Sequence, residues 1–290
     1  MKKEYFYAGI SIFFWSTVAV VTKFILKYIN NLQLLWASMF FSTIFLLIIN
    51  VATGRIKKLK NYKLKDVLIS ILIGLPGTFF YYVFYYAGAD MLLASQAFII
   101  NYSWPIMSVI FGCIILKEKM TIKKTIAIIF SFIGVIIVMS GDIAELNKNF
   151  VYGAFLCILG AVSYGLFTAL NQKRNYDKAI SMMINYFVSF FLTTIINGIK
   201  GDLFFPGATM TLGFIWNGVF SIAVASTLWL VALESGKTAK ISNLAYITPF
   251  LSLVWTAIFL KEPLNINSII GLTVIIAGIL IQLKKTNKSR

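Results

Sequence analysis

Ten apolar runs, each about 20 residues long, follow one another with only short connections between them. They fall at Tyr5–Lys27, Leu32–Val51, Val67–Ala87, Leu92–Leu116, Ile122–Ser140, Val151–Asn171, Ile180–Ile199, Leu212–Leu233, Ala239–Leu260 and Asn267–Leu283. A run of that length crosses the hydrocarbon of a bilayer as a helix, which satisfies all its backbone groups from within. The pattern predicts an all-α membrane protein with ten transmembrane helices and the lipid bilayer as its solvent. Composition agrees: 59% of the 290 residues are hydrophobic and only 12% are charged, too few to cover a soluble domain of that size. The first run follows Lys2 and Lys3 but is too long for a secretory signal and lacks an A-x-A cleavage site, so it counts as a helix.

The net charge of +16 would suit a nucleic-acid partner if it lay on one soluble face. Instead the basic residues sit in short clusters between apolar runs, and membrane orientation accounts for them. With both termini placed in the cytoplasm, 21 of the 26 Lys+Arg fall on the cytoplasmic side, together with five of the ten acids. The other side holds Lys23, Lys27, Lys148, Lys200 and Lys261 against five acids, so the whole net charge lies on one side. A missed or extra helix would scramble this alternation. The abundance of Lys, Ile and Asn hints at an AT-rich bacterial genome, and hence at a multi-pass protein of a bacterial inner (plasma) membrane.

The chain also repeats itself. Shifted by 144 residues, Tyr102 meets Tyr246, Pro105 meets Pro249, Ser108 meets Ser252, Leu116-Lys117-Glu118 meets Leu260-Lys261-Glu262, and Gly134 meets Gly278, with no gap from Tyr102 to Ile137. The unit is five helices, which divides the chain into 1–145 and 146–290. Five is odd, so the second unit enters the membrane inverted. Lysines crowd the turn after the fourth helix (Lys117, Lys119, Lys123, Lys124), whereas the matching turn has Lys261 and Glu262. Two similar halves of opposite orientation can exchange conformations and open a central site to either side in turn.

In these features the chain resembles the drug/metabolite transporter superfamily, in its ten-helix EamA-type branch. The resemblance covers essentially the whole chain and rests on the paired halves, the two Leu-Lys-Glu turns and Gly134 and Gly278. Asn101-Tyr102-Ser103-Trp104-Pro105 is also similar to the Asn-Tyr-x-Trp-Pro motif of bacterial aromatic amino-acid exporters. The resemblance implies export of amino acids or related metabolites. The second half reads Tyr246-Ile247-Thr248-Pro249, without the Asn or the Trp, so two symmetric aromatic-rich sites are not expected.

Candidate lining residues follow from spacing and from the repeat. Asn101, Trp104, Ser108 and Gly112 share a helix face, and Pro105 leaves a carbonyl free near mid-membrane. Such a face suits a water-lined cavity or a polar helix contact. Pro105 and Pro249 are the expected bends. In the third helix Phe79 and Tyr82 share a deep face, to stack a substrate or to pack the core, while Tyr85 and Tyr86 are expected in an interfacial aromatic belt. Trp15 corresponds to Tyr164 once about five residues of gap are allowed, and Tyr246 follows from Tyr102. Trp229 and Asn185 are weaker candidates. Lys23, the one charge clearly within a span, either meets a substrate carboxylate or snorkels to the headgroups.

Absences narrow the chemistry. There is no histidine, no phosphate-binding Gly-x-x-x-x-Gly-Lys-Ser/Thr, and Cys113 and Cys157 lie within apolar runs. No enzyme activity, metal, cofactor or ATP hydrolysis is expected. No Asp or Glu lies near the middle of a span. In the small multidrug pumps of the superfamily it resembles, such a carboxylate exchanges protons for cations. The expected function is export of aromatic or neutral amino acids, or related metabolites, by a monomer working through alternating access. The rival within transport is a carrier of choline-like compounds or nucleobases; a receptor or scaffold is the rival outside it.

Overall fold

The computed structural model describes residues 3–140, 148–172, 177–233 and 244–283. The expected start of the ninth helix at Ala239 lies outside them. So do the charges at Lys2, Asp142, Glu145, Lys173, Arg174, Glu234, Lys237, Lys240, Lys284, Lys285, Lys288 and Arg290. Ten membrane helices follow in order: α1 (Lys3–Leu26), α2 (Asn31–Ala52), α3 (Leu64–Met91), α4 (Ala94–Ile115), α5 (Ile122–Ser140), α6 (Lys148–Gln172), α7 (Lys178–Lys200), α8 (Ala208–Leu233), α9 (Ala245–Phe259) and α10 (Ile266–Leu283). Eight are long and apolar enough to cross a bilayer within the described residues, and α9 and α10 are shorter apolar helices.

Neighbours reproduce the repeat. α1 packs on α8 as α6 packs on α3, and α4 packs on α6 as α9 packs on α1. α2 pairs with its own counterpart α7, and α5 with α10. Two halves exchanged by an axis in the membrane plane produce this arrangement, the architecture of inverted repeats.

In lipid, helices associate through close backbone approach and polar contacts. The α5–α10 crossing uses the first. A Cβ at Gly134 would lie 2.5 Å from the Ile275 side chain and 2.6 Å from the Gly271 carbonyl, and one at Gly278 would lie 2.7 Å from Phe130. The α7 seam uses the second. Ser181, Asn185, Ser189, Thr193 and Asn197 recur every fourth residue and are all buried. The Ser181 and Ser70 hydroxyls meet at 2.5 Å, Ser189 donates to Thr78 (3.0 Å), and Asn197 donates to the Leu32 carbonyl (3.3 Å). Asn185 fills the space over Gly74 in this seam.

Several helices are irregular midway. α1 turns at Thr17, α4 breaks at Tyr102-Ser103, and α9 opens with a 3-10 turn, Ala245–Ile247. Pro105 and Pro249 each stand second in the helical segment that follows. A proline lacks the N–H that would bond four residues back, so Pro249 frees the Ala245 carbonyl, and the Tyr102 hydroxyl donates to it (2.6 Å). α3 and α8 carry π-helical stretches at Pro76–Phe80 and Trp216–Val224. The 144-residue register carries 76–80 onto 220–224, so both bulges occupy the same place in the repeat.

The bundle has a lysine-rich end, with turns at 53–63 and 117–121, the end of α6 and the start of α7, and an opposite end, with turns at 27–30, 92–93, 201–207 and 260–265. Tyr85 and Tyr86 are corrected from the interfacial belt to the core, at 1% and 0% exposure. The Tyr86 hydroxyl accepts from Asn217 (2.7 Å), an interior contact that turns the ring inward.

Candidate functional site

The irregular helices converge on a cavity of about 200 Å3 between the halves. Its walls come in repeat-related pairs: Trp15 with Tyr164, Val18 with Phe167, Tyr82 with Ser226, Asn101 with Ala245, and Trp104 with Thr248. The first half supplies most of the aromatic rings, and the second supplies Asn171, Lys178, Ser221, Ser226 and Thr248. Trp104 stands edge-on to Tyr164, with ring centroids 4.9 Å apart, and Tyr81 lies 4.8 Å from the same ring. Trp15 and Trp229 form a second aromatic pair at 5.2 Å.

Three polar features stand out in this apolar wall. Asn101 donates from Nδ2 to the Tyr81 hydroxyl (3.0 Å), and its buried Oδ1 has no partner among the described residues. This oxygen is packed over Gly160 of α6, where an added Cβ would lie 3.1 Å from it; a buried acceptor left open costs about 1–3 kcal/mol. Lys178 and Asn171 line the cavity where α6 ends and α7 begins, at the lysine-rich end. No carboxylate is among the described lining residues.

Of the sequence candidates, Trp15, Tyr82, Asn101, Trp104 and Tyr164 come together here, and Trp229 joins them. Phe79 and Tyr246 are placed instead against the core. The π-helical stretch shifts the phase of α3, so Tyr81 rather than Phe79 accompanies Tyr82 on the cavity wall. In α9 the 3-10 turn stacks residues three apart, presenting Ala245 and Thr248 while Tyr246 points away. Pro105 and Pro249 break their helices beside the cavity without lining it. Lys23 is outside the cavity. Its ammonium donates to the carbonyls of Ala89 (2.8 Å), Asp90 (3.0 Å) and Leu92 (2.7 Å), and so caps the C-terminus of α3, a use that neither snorkelling nor a substrate contact anticipates.

The model of the EamA-like transporter family matches residues 2–140 and 151–283, one match for each half. This chain belongs to the EamA-like transporter family. Similar full-length relatives are an uncharacterized transporter of Archaeoglobus fulgidus, 25% identical over 98% of this chain and 99% of its own, and one of Clostridium kluyveri, 25% identical over 100% and 96%. The uncharacterized transporter YvbV of Bacillus subtilis is 26% identical over 81% of this chain and 77% of its own. A solved crystal structure of 16% identity covers 96% of this chain and 95% of its own with a TM-score of 0.69, which shows the shared fold.

Side chains of both repeats enclose the cavity. Tyr81, Phe98, Tyr102, Phe167, Asn171, Lys178, Met182, Ser221 and Ser226 line it without having been singled out. For Phe167 the signal was available, since the gap that pairs Trp15 with Tyr164 also pairs Val18 with Phe167. For Ser221 and Ser226 it was not, because their facing depends on the π-helical phase of α8. The rings can stack a planar or apolar group, and Lys178 can meet an anion.

Proposed function

We propose that this membrane transporter exports amino acids with aromatic or apolar side chains, or closely related carboxylates, by alternating access. The supporting observation is the cavity's make-up: the rings of Trp15, Tyr81, Tyr82, Trp104, Tyr164 and Trp229, with Lys178 as cation and no carboxylate among the described lining. Its volume is below the roughly 300–1,000 Å3 of drug-sized pockets, which favours a metabolite over a bulky drug. A solute with one aromatic end and one carboxylate uses these features. A choline-like cation uses the rings but meets Lys178 without a compensating acid.

The charge asymmetry supports placing the lysine-rich end in the cytoplasm, with both termini there and the chain in the cell membrane. The cavity, lined by Lys178 and Asn171 at that end, then faces the side from which an exporter loads. A monomer suffices, because one chain supplies both halves of the wall.

The test is movement of labelled solutes into proteoliposomes containing the purified protein, with and without a pH gradient. Saturable movement of aromatic or neutral amino acids, indifferent to the gradient, is expected. Movement of choline-like compounds or nucleobases, with no amino acid moved, would overturn the substrate class.

A further inference from the structure

The short turn between α3 and α4, residues 92–93, is held from two sides by side chains that no substrate role uses. From α1, the Lys23 ammonium takes three carbonyls at the C-terminal end of α3. From the α9–α10 turn, the Glu262 carboxylate accepts from the backbone N–H groups of Ala94 (2.7 Å) and Ser95 (3.0 Å) and from the Ser95 hydroxyl (2.7 Å), at the N-terminal end of α4. Each charge suits the helix end it meets, cation at the carbonyls and anion at the N–H groups. The two charges also attract each other across the turn. The clamp therefore ties the first half, through α1, α3 and α4, to the second half, through Glu262, at the end opposite the lysine-rich one.

The repeat supplies an internal control. Glu118 is the counterpart of Glu262 on a turn of the same sequence, Leu-Lys-Glu. Among the described residues, Lys117 and Lys261 are the two non-glycine residues with positive φ, at 57° and 55°. The Glu118 and Glu262 N–H groups each bond back to the carbonyl six residues earlier, both at 3.4 Å. Glu118 bonds to Lys124 on the adjacent α5 (2.7 Å), and its side chain is 48% exposed. The counterpart of Lys124 is Ser268, so Glu262 has no such partner on α10, and the counterparts of Ala94 and Ser95, at 238 and 239, lie outside the described residues.

We infer that the Lys23–Glu262 clamp on the 92–93 turn is the gate that closes the cavity at the end opposite the lysine-rich one, and that it must release for the cavity to open there. An inverted-repeat transporter needs such a contact to be bistable. The bond between the halves consists of three hydrogen bonds to one carboxylate on a tight turn, which can break and remake as a unit and so meets that need. The inference goes beyond the substrate reading and uses it only in taking the protein as a transporter. The test below needs no solute, so its failure and a failure of the substrate class are separately visible.

The experiment measures access to the cavity. A single thiol is introduced as S226C in a C113A/C157A chain, in oriented membranes, and a membrane-impermeant maleimide is applied from each side in turn. In the parent, labelling occurs from the lysine-rich side and is slow from the side of the 92–93 turn. E262Q, which removes the charge but keeps the side chain's shape, should raise labelling from the turn's side by about tenfold or more, as loss of a charge-assisted contact implies. K23Q should do the same. E118Q, the counterpart, should leave labelling from that side unchanged. If E262Q does not fold, S95A removes one hydroxyl donor and should give a smaller rise. Parent-level labelling from the turn's side in folded E262Q and K23Q, or in S95A where these fail, would reduce Glu262 to a helix cap and overturn the inference.

Discussion

The two Leu-Lys-Glu turns share a sequence and a backbone yet differ in partner, and the two faces of the cavity differ in a parallel way. Glu262 grips the start of α4 while Glu118 pairs with Lys124. Trp104 and Asn101 present a ring and an amide where their counterparts Thr248 and Ala245 present little. The first difference is written into the sequence, since the counterpart of Lys124 is Ser268. The second is likewise written into the side chains. Duplication thus supplies two halves of one backbone plan, and divergence makes both the turns and the cavity walls unequal.

The most damaging way to probe that symmetry is at the α5–α10 crossing, which both halves build. Gly134→Leu and Gly278→Leu, at matching positions of the repeat, each force a side chain into space held by the facing helix. Both should lower stability by about 1–3 kcal/mol or more, read as thermal unfolding in detergent. A full-stability Gly278→Leu beside a crippled Gly134→Leu would break the equivalence.

Next in size is the divergence of the cavity faces. Trp104→Ala should cut flux at least roughly tenfold while leaving folded protein in the membrane, through loss of the wall that Tyr164 completes. Thr248→Ala, its counterpart, should stay within about twofold, because it removes no ring. Equal losses in the two would make the cavity functionally symmetric and contradict the reading.

The turns give a smaller, stability-based contrast. Glu262→Gln weakens three charge-assisted hydrogen bonds and should cost about 1–3 kcal/mol, whereas Glu118→Gln touches one half-exposed ion pair and should cost under about 1 kcal/mol. Thermal unfolding of the two variants orders them.

The smallest expected effect lies at the lysine-rich end. Partial burial alone would raise the Asp177 carboxyl, but the Lys58 ammonium at 2.6 Å and the Ile180 N–H outweigh it and hold the carboxyl below its usual range. A carboxyl depressed by folding adds stability that is complete above its unfolded value and is lost as pH falls through its folded value. Because Lys58 is 58% exposed, the contribution is only about 0.2–1 kcal/mol. Asp177→Asn should therefore lower the unfolding temperature slightly at neutral pH, and the gap to the parent should close in acid.

Much of the fold was legible in the chain. Ten apolar runs and one 144-residue register carry the helix order and the inversion, because hydrocarbon leaves a spanning segment little choice of structure. The cavity was legible in part. Trp15, Asn101, Trp104 and Tyr164 could be placed by the repeat and by helical spacing, whereas Tyr81 replaces Phe79 and Thr248 replaces Tyr246 on the wall because π and 3-10 turns change the phase of their helices. Apolar periodicity carries no mark of those turns. Lys23 was visible as a charge within a span, but its partners are carbonyls 66 to 69 residues away, which spacing cannot reveal.

The most direct test of the cavity as the solute site is a binding isotherm. Purified parent protein and Trp104→Ala are titrated calorimetrically with phenylalanine, tyrosine and tryptophan. The account predicts saturable binding of at least one of them to the parent, weakened roughly tenfold or more in Trp104→Ala while its unfolding temperature is kept. Equal affinity in both proteins, or no binding to the parent, would contradict it.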